Sequence, residues 1–372
     1  MSSIVGHDRA LATIQQSLQS GRVHHAWIFA GPPGIGKFTT AIEMARLLLD
    51  PSAGPTPSSG SGGRYASDPE SETSRLIDAG THPDLHVVRK ELALFSIDPQ
   101  VRKRKLFNIP VDVLREHVIG GLVAGDRAIT GPAYRTAQRG HGKVFIIDEA
   151  ELLEEESQNL LLKTLEEPPA QTWFILVTSR PRRLLPTIHS RCQTVRFGRL
   201  SPAEVEQVIA RRNPDLSRAD REWLIAYADG SPGSALLAAE FGFAAFAARI
   251  IPALARLSRG EFVPEAGPML AEFTETFADA WVKKNRNASK DAANKDGGRH
   301  LIAMIAADVR TRLRAADAAE FERVVAQIEI LRDAERQLAA NVNQKQVFED
   351  VAARWLTAAE GDWVSTGPLG GW

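Results

Sequence analysis

Gly31-Pro32-Pro33-Gly34-Ile35-Gly36-Lys37 lies between an apolar run and an amphipathic stretch. That spacing suits phosphate binding. Glycines let backbone N–H groups converge on phosphate oxygens, and the N-terminus of a following helix favours the anion. A lysine at the end of the loop reaches the β- and γ-phosphates. The alternative is a Gly/Pro turn that holds no ligand. The residue after the lysine decides how much chemistry survives, because a Ser or Thr there gives a hydroxyl to Mg²⁺. Here it is Phe38, which has no oxygen to offer. Thr39 follows, but it is about 100° further round a helix and should not substitute without distortion.

Three further positions fit the same chemistry. Asp148 ends the apolar run "KVFIID", where a metal-associated acid belongs. Glu149 beside it is placed to polarise a water. The alternative for this pair is a solvated acidic turn. Thr178 ends "WFILVT" and is within the reach expected of a group that bonds a γ-phosphate or a water; a single threonine says little alone. Arg191 lies in "LLPTIHSRCQTVRF". An arginine at a subunit edge can stabilise charge on phosphate bound by a neighbour, and taken alone it reads equally as a surface ion-pair partner. His82 and His86 invite a metal reading, but two histidines without cysteines or an acid cluster make a poor zinc site.

These residues need a scaffold that brings strand ends together. "AWIFA" (26–30), "DLHVVR" (84–89), "KVFIID" (143–148), "WFILVTS" (173–179) and "QTVRFG" (193–198) read as five strands. Helical patterns stand between them at 7–20, 36–49, 109–118 and 157–169, the last stopped by Pro168 and Pro169. Alternating strands and helices predict a parallel sheet covered on both faces. After residue 200 only helices are expected. Ser201, Pro202 and Glu204 form a capping box at the start of the first of them. Two stretches break the pattern. In "PSAGPTPSSGSGGR" (51–64) every residue but Arg64 is Pro, Ser, Ala, Gly or Thr, so 51–75 is expected to be a flexible insert. "KKNRNASKDAANKDGG" (283–298) reads as a polar connection between helices.

Bulk properties narrow the class. The chain has 372 residues, 44% hydrophobic and 24% charged, with a net charge of −1. That is a soluble composition with room for two or three domains and no overall basic field for nucleic acid. No apolar run suits a membrane span, and the first residues lack the pattern of a secretion signal, so a cytoplasmic protein is expected. The one cysteine, Cys192, leaves no internal disulfide and no cysteine-based zinc site.

The ordered set "IVGHDRA", "HHAWIFAGPPGIGK", "HPDLHVV", "KVFIIDEAE", "QNLLLKTLEEPP" and "LPTIHSRC" resembles bacterial DNA polymerase III clamp-loader subunits of the AAA+ class. The likeness is close from residue 4 to about 240 and looser to about 356. It implies a P-loop AAA+ α/β domain with a five-stranded parallel sheet (1–199), a helical lid (200–242), an all-α collar for oligomerisation (243–360) and a tail (361–372). Within that family the delta-prime branch fits better than the hydrolysing gamma/tau branch. Gamma/tau members have Ser or Thr where Phe38 stands and an arginine in the lid where Gly233 stands. The resemblance therefore implies weak or absent ATP/Mg binding, with Gly31 to Thr39 as a vestigial site and Asp148, Glu149 and Thr178 as its degenerate remainder. The same likeness gives Arg191 the role of a finger into the ATP site of a neighbouring gamma/tau subunit, and "IVGH" (4–7) the lining of an adenine, although a helix-start turn explains "IVGH" equally. The partners it implies are gamma/tau and delta subunits, a sliding clamp and primed DNA reached through the complex. Two departures stand out. The interval where many members carry a four-cysteine zinc module is here the Pro/Ser/Gly-rich insert, so no metal is expected, and the Asp148-Glu149 pair is retained.

Overall fold

A computed structural model of the chain describes residues 4–55, 65–104, 106–124, 127–285 and 288–358. The middle of the 51–75 insert and the tail 361–372 lie outside the described residues.

The chain forms two compact units, Met1–Val208 with Gly230–Gly233, and Ile209–Asp229 with Ser234–Trp372. The first is built on five parallel strands: β1 (Ala26–Ala30), β2 (Leu85–Val88), β3 (Lys143–Ile147), β4 (Thr172–Thr178) and β5 (Gln193–Arg196). Their order across the sheet is β2-β3-β4-β1-β5. This is the five-stranded parallel sheet that the sequence implies. Every residue of β1 and β3 is buried, so both are continuous apolar runs rather than alternating ones. Parallel neighbours need crossover connections, and helices supply them. Helix α1 (Asp8–Gln19) precedes β1, α2 (Lys37–Leu49) follows it, and α3 (Glu155–Glu166) joins β3 to β4. Ala30 pairs with Thr178, and Ile147 with Leu176, so the ends of β1, β3 and β4 finish at one edge of the sheet. β1 lies between β4 and β5 where the strand order reverses, the place at which open α/β sheets bind ligands.

The "HPD" turn before β2 is structural. Asp84 is 2% exposed and its carboxylate accepts the N–H groups of Gln138 and Arg139, both at 2.8 Å. His82 Nδ1 accepts the Asp84 N–H at 3.2 Å. Asp84→Ala leaves two N–H groups without their acceptor. It should cost about 2–4 kcal/mol, read as a lower urea midpoint at unchanged slope. His86 is a strand residue whose ring stacks on Phe145 at 4.6 Å. Burial lowers its pKa from 6.5 to about 4, against a raising effect of Asp84. The folded state therefore holds it neutral while the unfolded chain takes a proton below about pH 6.5. Its contribution to stability is complete above that pH and falls away down to about 4. His86→Phe should flatten the drop in urea midpoint between pH 7 and 5.

Three regions differ from expectation. Within the insert, Gly54–Pro55 pairs antiparallel with Tyr65–Ala66, and a short helix runs Glu72–Asp78 with Ser71 accepting the Ser74 N–H as its cap. The helix expected over 109–118 is α-helical only at Val111–Leu114, opens into a wide turn at Arg115–Ile119, and leads into an antiparallel pair, Gly120–Ala124 with Arg127–Thr130. Gly120 and Gly121 have φ of 85° and 87°, backbone that a side chain would strain.

The third is 283–298, which is mostly helix. The C-terminal helices are α4 (Pro202–Arg212), α5 (Arg218–Ala228), α6 (Pro232–Glu240), α7 (Phe243–Leu257), α8 (Ala266–Lys284), α9 (Lys290–Ala315), α10 (Ala318–Ala339) and α11 (Gln344–Thr357). Ser289 caps α9 by accepting the Ala292 N–H. Gly297 and Gly298 lie inside α9 because a Cβ there would stand 3.2 Å from Thr274 and Phe277 of α8, and 3.0 Å from Leu338 of α10. The polar, glycine-rich stretch is a close helix contact rather than a linker. Fully buried Trp355 of α11 donates its Nε1–H to Ser258 Oγ at 3.0 Å, fixing α11 to the end of α7. Among the described residues no single helix is long and apolar enough to cross a membrane.

Candidate functional site

The loop after β1 has the backbone that its glycines permit. Gly34 and Gly36 have φ of 71° and 99°, and a Cβ on Gly31 would stand 2.3 Å from the Phe197 carbonyl oxygen. Pro32, Pro33 and Ile35 fill the loop between them, with Ile35 buried. Lys37 opens α2 but is only 6% exposed. Its ammonium donates to the carbonyls of Gly31 at 2.7 Å and Pro32 at 2.5 Å. Burial lowers its pKa to about 8, opposed by the charges of Glu151 and Asp148. The cation is thus folded onto the loop that bears it.

The other side of the loop is also engaged. The Gly233 N–H donates to Gly34 O at 2.8 Å, and Ser231 Oγ donates to Pro33 O at 3.0 Å. A Cβ on Gly233 would meet the Gly34 backbone at 2.8 Å. Position 233 therefore touches the loop directly and has no room for an arginine in this arrangement. The capping box expected nearby is present, with the Ser201 N–H donating to Glu204 Oε2 at 2.7 Å and the Glu204 N–H to Ser201 Oγ at 3.4 Å.

Phe38 has a specific partner. The guanidinium of Arg89 lies over its ring, 4.2 Å from the centroid. The same guanidinium pairs with Asp148 Oδ2 at 3.1 Å. The next residue, Lys90, pairs with Glu149 at 2.8 Å. Both acids at the end of β3 are thus met by consecutive cations at the end of β2. Burial raises the pKa of Asp148, and Arg89 works against that rise. Glu149 takes a left-handed backbone, φ 50°. Thr178 is 1% exposed, and its Oγ1 accepts the Arg180 N–H at 3.1 Å. Glu151, which sequence reasoning passed over, accepts the Ser179 N–H at 3.1 Å. Desolvation raises its pKa, but bonds from Ser179 and Thr178 outweigh this and leave it lowered. Thr39 is exposed in the first turn of α2, while its neighbour Thr40 donates to Gly36 O at 2.9 Å.

These residues do not fit a Mg²⁺ ion held in the usual way. The position that needs an oxygen has a phenyl ring, and the acid that would hold the metal's water shell already holds a guanidinium. Among the described residues no three His, Cys, Asp or Glu side chains form a cation-binding group.

Arg191 stands apart from this cluster in its bonding. It follows the helical turn Pro186–His189 and pairs with Glu166 Oε1 at 2.5 Å. It also donates to Thr187 O at 3.0 Å. Its partners are thus the last residue of α3 and its own turn, not the loop. A cleft of about 1330 Å³ opens beside the loop, lined by His7, Arg9, Gly31, Pro32, Arg196 and Phe197 among others. His7 Nε2 lies 2.7 Å from Ile35 O and its ring meets Phe197 edge-on at 5.0 Å, which ties the start of α1 to the loop.

Besides Glu151, Arg89 and Lys90 are site residues that sequence reasoning missed. The available signal was "VVRK", two cations where β2 ends beside the strand of the acids.

The profile of the family described as DNA polymerase III, delta subunit, matches residues 6–201. The chain is 32% identical over 222 residues to DNA polymerase III subunit delta' of Escherichia coli (strain K12), covering 59% of this chain and 56% of that protein. It is 33% identical over 208 residues to subunit tau of Salmonella typhimurium, covering 56% of this chain and 26% of that protein. The chain thus spans little more than half the length of the curated delta' relative it matches. The solved structure of a DNA polymerase III gamma-subunit-related protein from Thermotoga maritima is similar at a TM-score of 0.41 and 16% identity, covering 94% of this chain and 99% of that one.

Proposed function

The chain belongs to the DNA polymerase III delta-subunit family, and on that premise we propose that it is a delta-prime subunit of a cytoplasmic replicative clamp loader that does not hydrolyse ATP itself. One observation carries the second half of this reading. Arg89 pairs with Asp148 and covers Phe38, so a fixed guanidinium neutralises the acid while an apolar ring replaces the metal-binding hydroxyl. Hydrolysis needs Mg²⁺ to bridge the β- and γ-phosphates and offset the charge developing on them. A pocket whose acids are already paired has little electrostatic reason to bind the ion. Gly233 deepens the loss, since no cation can be supplied from that position. The nucleotide site of such a subunit is a support for the loop rather than a reaction centre.

Its contribution to catalysis is in trans. Arg191 is the finger toward a gamma/tau neighbour, and Glu166 is its partner until the neighbour's phosphates replace that carboxylate. Assembly with gamma/tau and delta subunits, a sliding clamp and primed DNA follows from this role. The rival, a gamma/tau-like ATPase, has the retained Asp148 and Glu149 in its favour, but their pairing with Arg89 and Lys90 speaks against it. The test is reconstitution. Mixed with gamma/tau and delta subunits, the full chain should co-elute as one assembly and raise DNA-stimulated ATP turnover above that of the mixture lacking it. Failure to join the assembly overturns the reading.

A further inference from the structure

The cleft beside the loop has a wall that nucleotide chemistry does not use. Its lining runs unbroken from Thr194 to Leu200, along β5 and the residues that follow it. Successive side chains of a strand point to opposite faces. A cleft touched by every residue of such a run therefore follows the edge of the strand, not one of its faces. β5 is the last strand of the sheet, and among the described residues it pairs with β1 alone. The first turns of α1 add Asp8, Arg9 and Thr13 to the same cleft.

That edge is open. The Phe197 N–H donates to Ala30 O at 2.8 Å, so Phe197 and Val195 turn their backbone groups toward β1. Thr194 and Arg196 alternate with them and turn theirs outward. On that side neither has a hydrogen-bond partner among the described residues. Both residues are exposed, and a Cβ on Gly198 just beyond them would meet nothing within 4 Å. Arg9 is exposed too, and neither it nor Arg196 has an ion-pair partner among the described residues. Of the two acids in the lining, Glu204 is already held by Ser201, at 2.7 Å from both its N–H and its hydroxyl.

We propose that the outer edge of β5 docks an extended, acidic segment of another protein, which adds to the sheet as a further strand. The outward N–H and C=O groups of Thr194 and Arg196 are what a second backbone needs in order to pair, and such main-chain bonds supply the affinity in strand addition. Arg9 and Arg196 in the same cleft select carboxylates on that backbone. A nucleotide would use the arginines for its phosphates but would leave the outward backbone groups unmatched. A second copy of this chain pairing edge to edge would bring one Arg196 against another, and like charges directly opposite are destabilising. The space also suits a peptide, since about 1330 Å³ exceeds the roughly 300–1,000 Å³ of small-molecule sites. This inference depends neither on whether the chain hydrolyses ATP nor on the role of Arg191.

The test uses a short fluorescein-labelled peptide of alternating Glu and Val, titrated into the full chain and read by anisotropy. Saturable binding is expected. In a strand, alternate amides face the same side, so N-methylation of one alternate set of peptide amides should weaken binding at least about tenfold and N-methylation of the other set should not. Arg9→Glu with Arg196→Glu should weaken binding at least about tenfold and should create binding of a peptide of alternating Lys and Val. Both arginines are exposed, and circular-dichroism melts of the double variant should match the parent. Four results would overturn the proposal: no saturable binding, equal tolerance of both N-methylated sets, a double variant that binds like the parent, or displacement of the labelled peptide by ATP as effectively as by unlabelled peptide. The last would make the cleft a nucleotide site.

Discussion

Arg191→Ala is expected to slow ATP turnover of the reconstituted assembly while leaving the chain folded and assembled. The side chain is about one-third exposed and, among the described residues, pairs with Glu166 at the end of α3 and with its own turn. Its loss therefore removes one surface ion pair, worth about 0–1 kcal/mol. In the neighbour's site the loss is of another order, because an arginine finger contributes roughly 10³–10⁵ in rate. Turnover at the site that this chain faces should fall by that factor, and the other sites of the assembly should retain theirs. Arg191→Lys should not rescue it, since an ammonium lacks the planar fork that meets two phosphate oxygens. Single-turnover kinetics on the assembly separates the affected site from the rest, and a rate unchanged at every site removes Arg191 from the mechanism.

The second large effect concerns the chain's own pocket. Phe38→Ser alone should leave Mg²⁺ binding and ATP turnover at background. The new hydroxyl would face an Asp148 still paired with Arg89, and Gly233 would still supply no cation. Phe38→Ser with Arg89→Ala removes the ring and the guanidinium together. That double variant leaves a partly buried carboxylate uncompensated, and burial already pushes the pKa of Asp148 up. A divalent cation is the natural replacement for the lost charge. Mn²⁺ affinity, read by its proton relaxation enhancement in the presence of ATP, should rise at least tenfold in the double variant and not in Phe38→Ser. A rise in the single variant would mean that Arg89 does not block the metal position.

The scaffold was legible because burial leaves a strong mark on sequence. "AWIFA" and "KVFII" are apolar at every position because both faces of a central parallel strand are covered, and the observed strands begin and end within one residue of those runs. The capping box at Ser201 and Glu204 was legible for a different reason, since it is a reciprocal bond between residues close in the chain. Long-range partnership was not. Arg89 closed the expected strand at 84–89 and Lys90 drew no notice, and it is the pairing of β2 beside β3 that brings them to Asp148 and Glu149. The stretch at 283–298 misled for the opposite reason. Its polar composition reads as a connection, but the helix is held by its neighbours, and Gly297 and Gly298 let α8 and α10 approach. The Gly120–Thr130 pair was hidden in the same way, in a sequence whose glycines do mark a turn but whose strands are too short to show alternation. The site's chemistry thus divides by distance along the chain. Phe38 announced itself next to its motif, and the cation that makes its presence matter lies 51 residues further on, visible only in the fold.

The central claim is that this pocket keeps the form of an ATP site without its reaction. ATP hydrolysis by the isolated full chain, with Mg²⁺ in excess and primed DNA present, tests it most directly. The account predicts phosphate release at the rate of a Lys37→Ala control. Sustained turnover by the parent chain alone, abolished by Lys37→Ala, would contradict it.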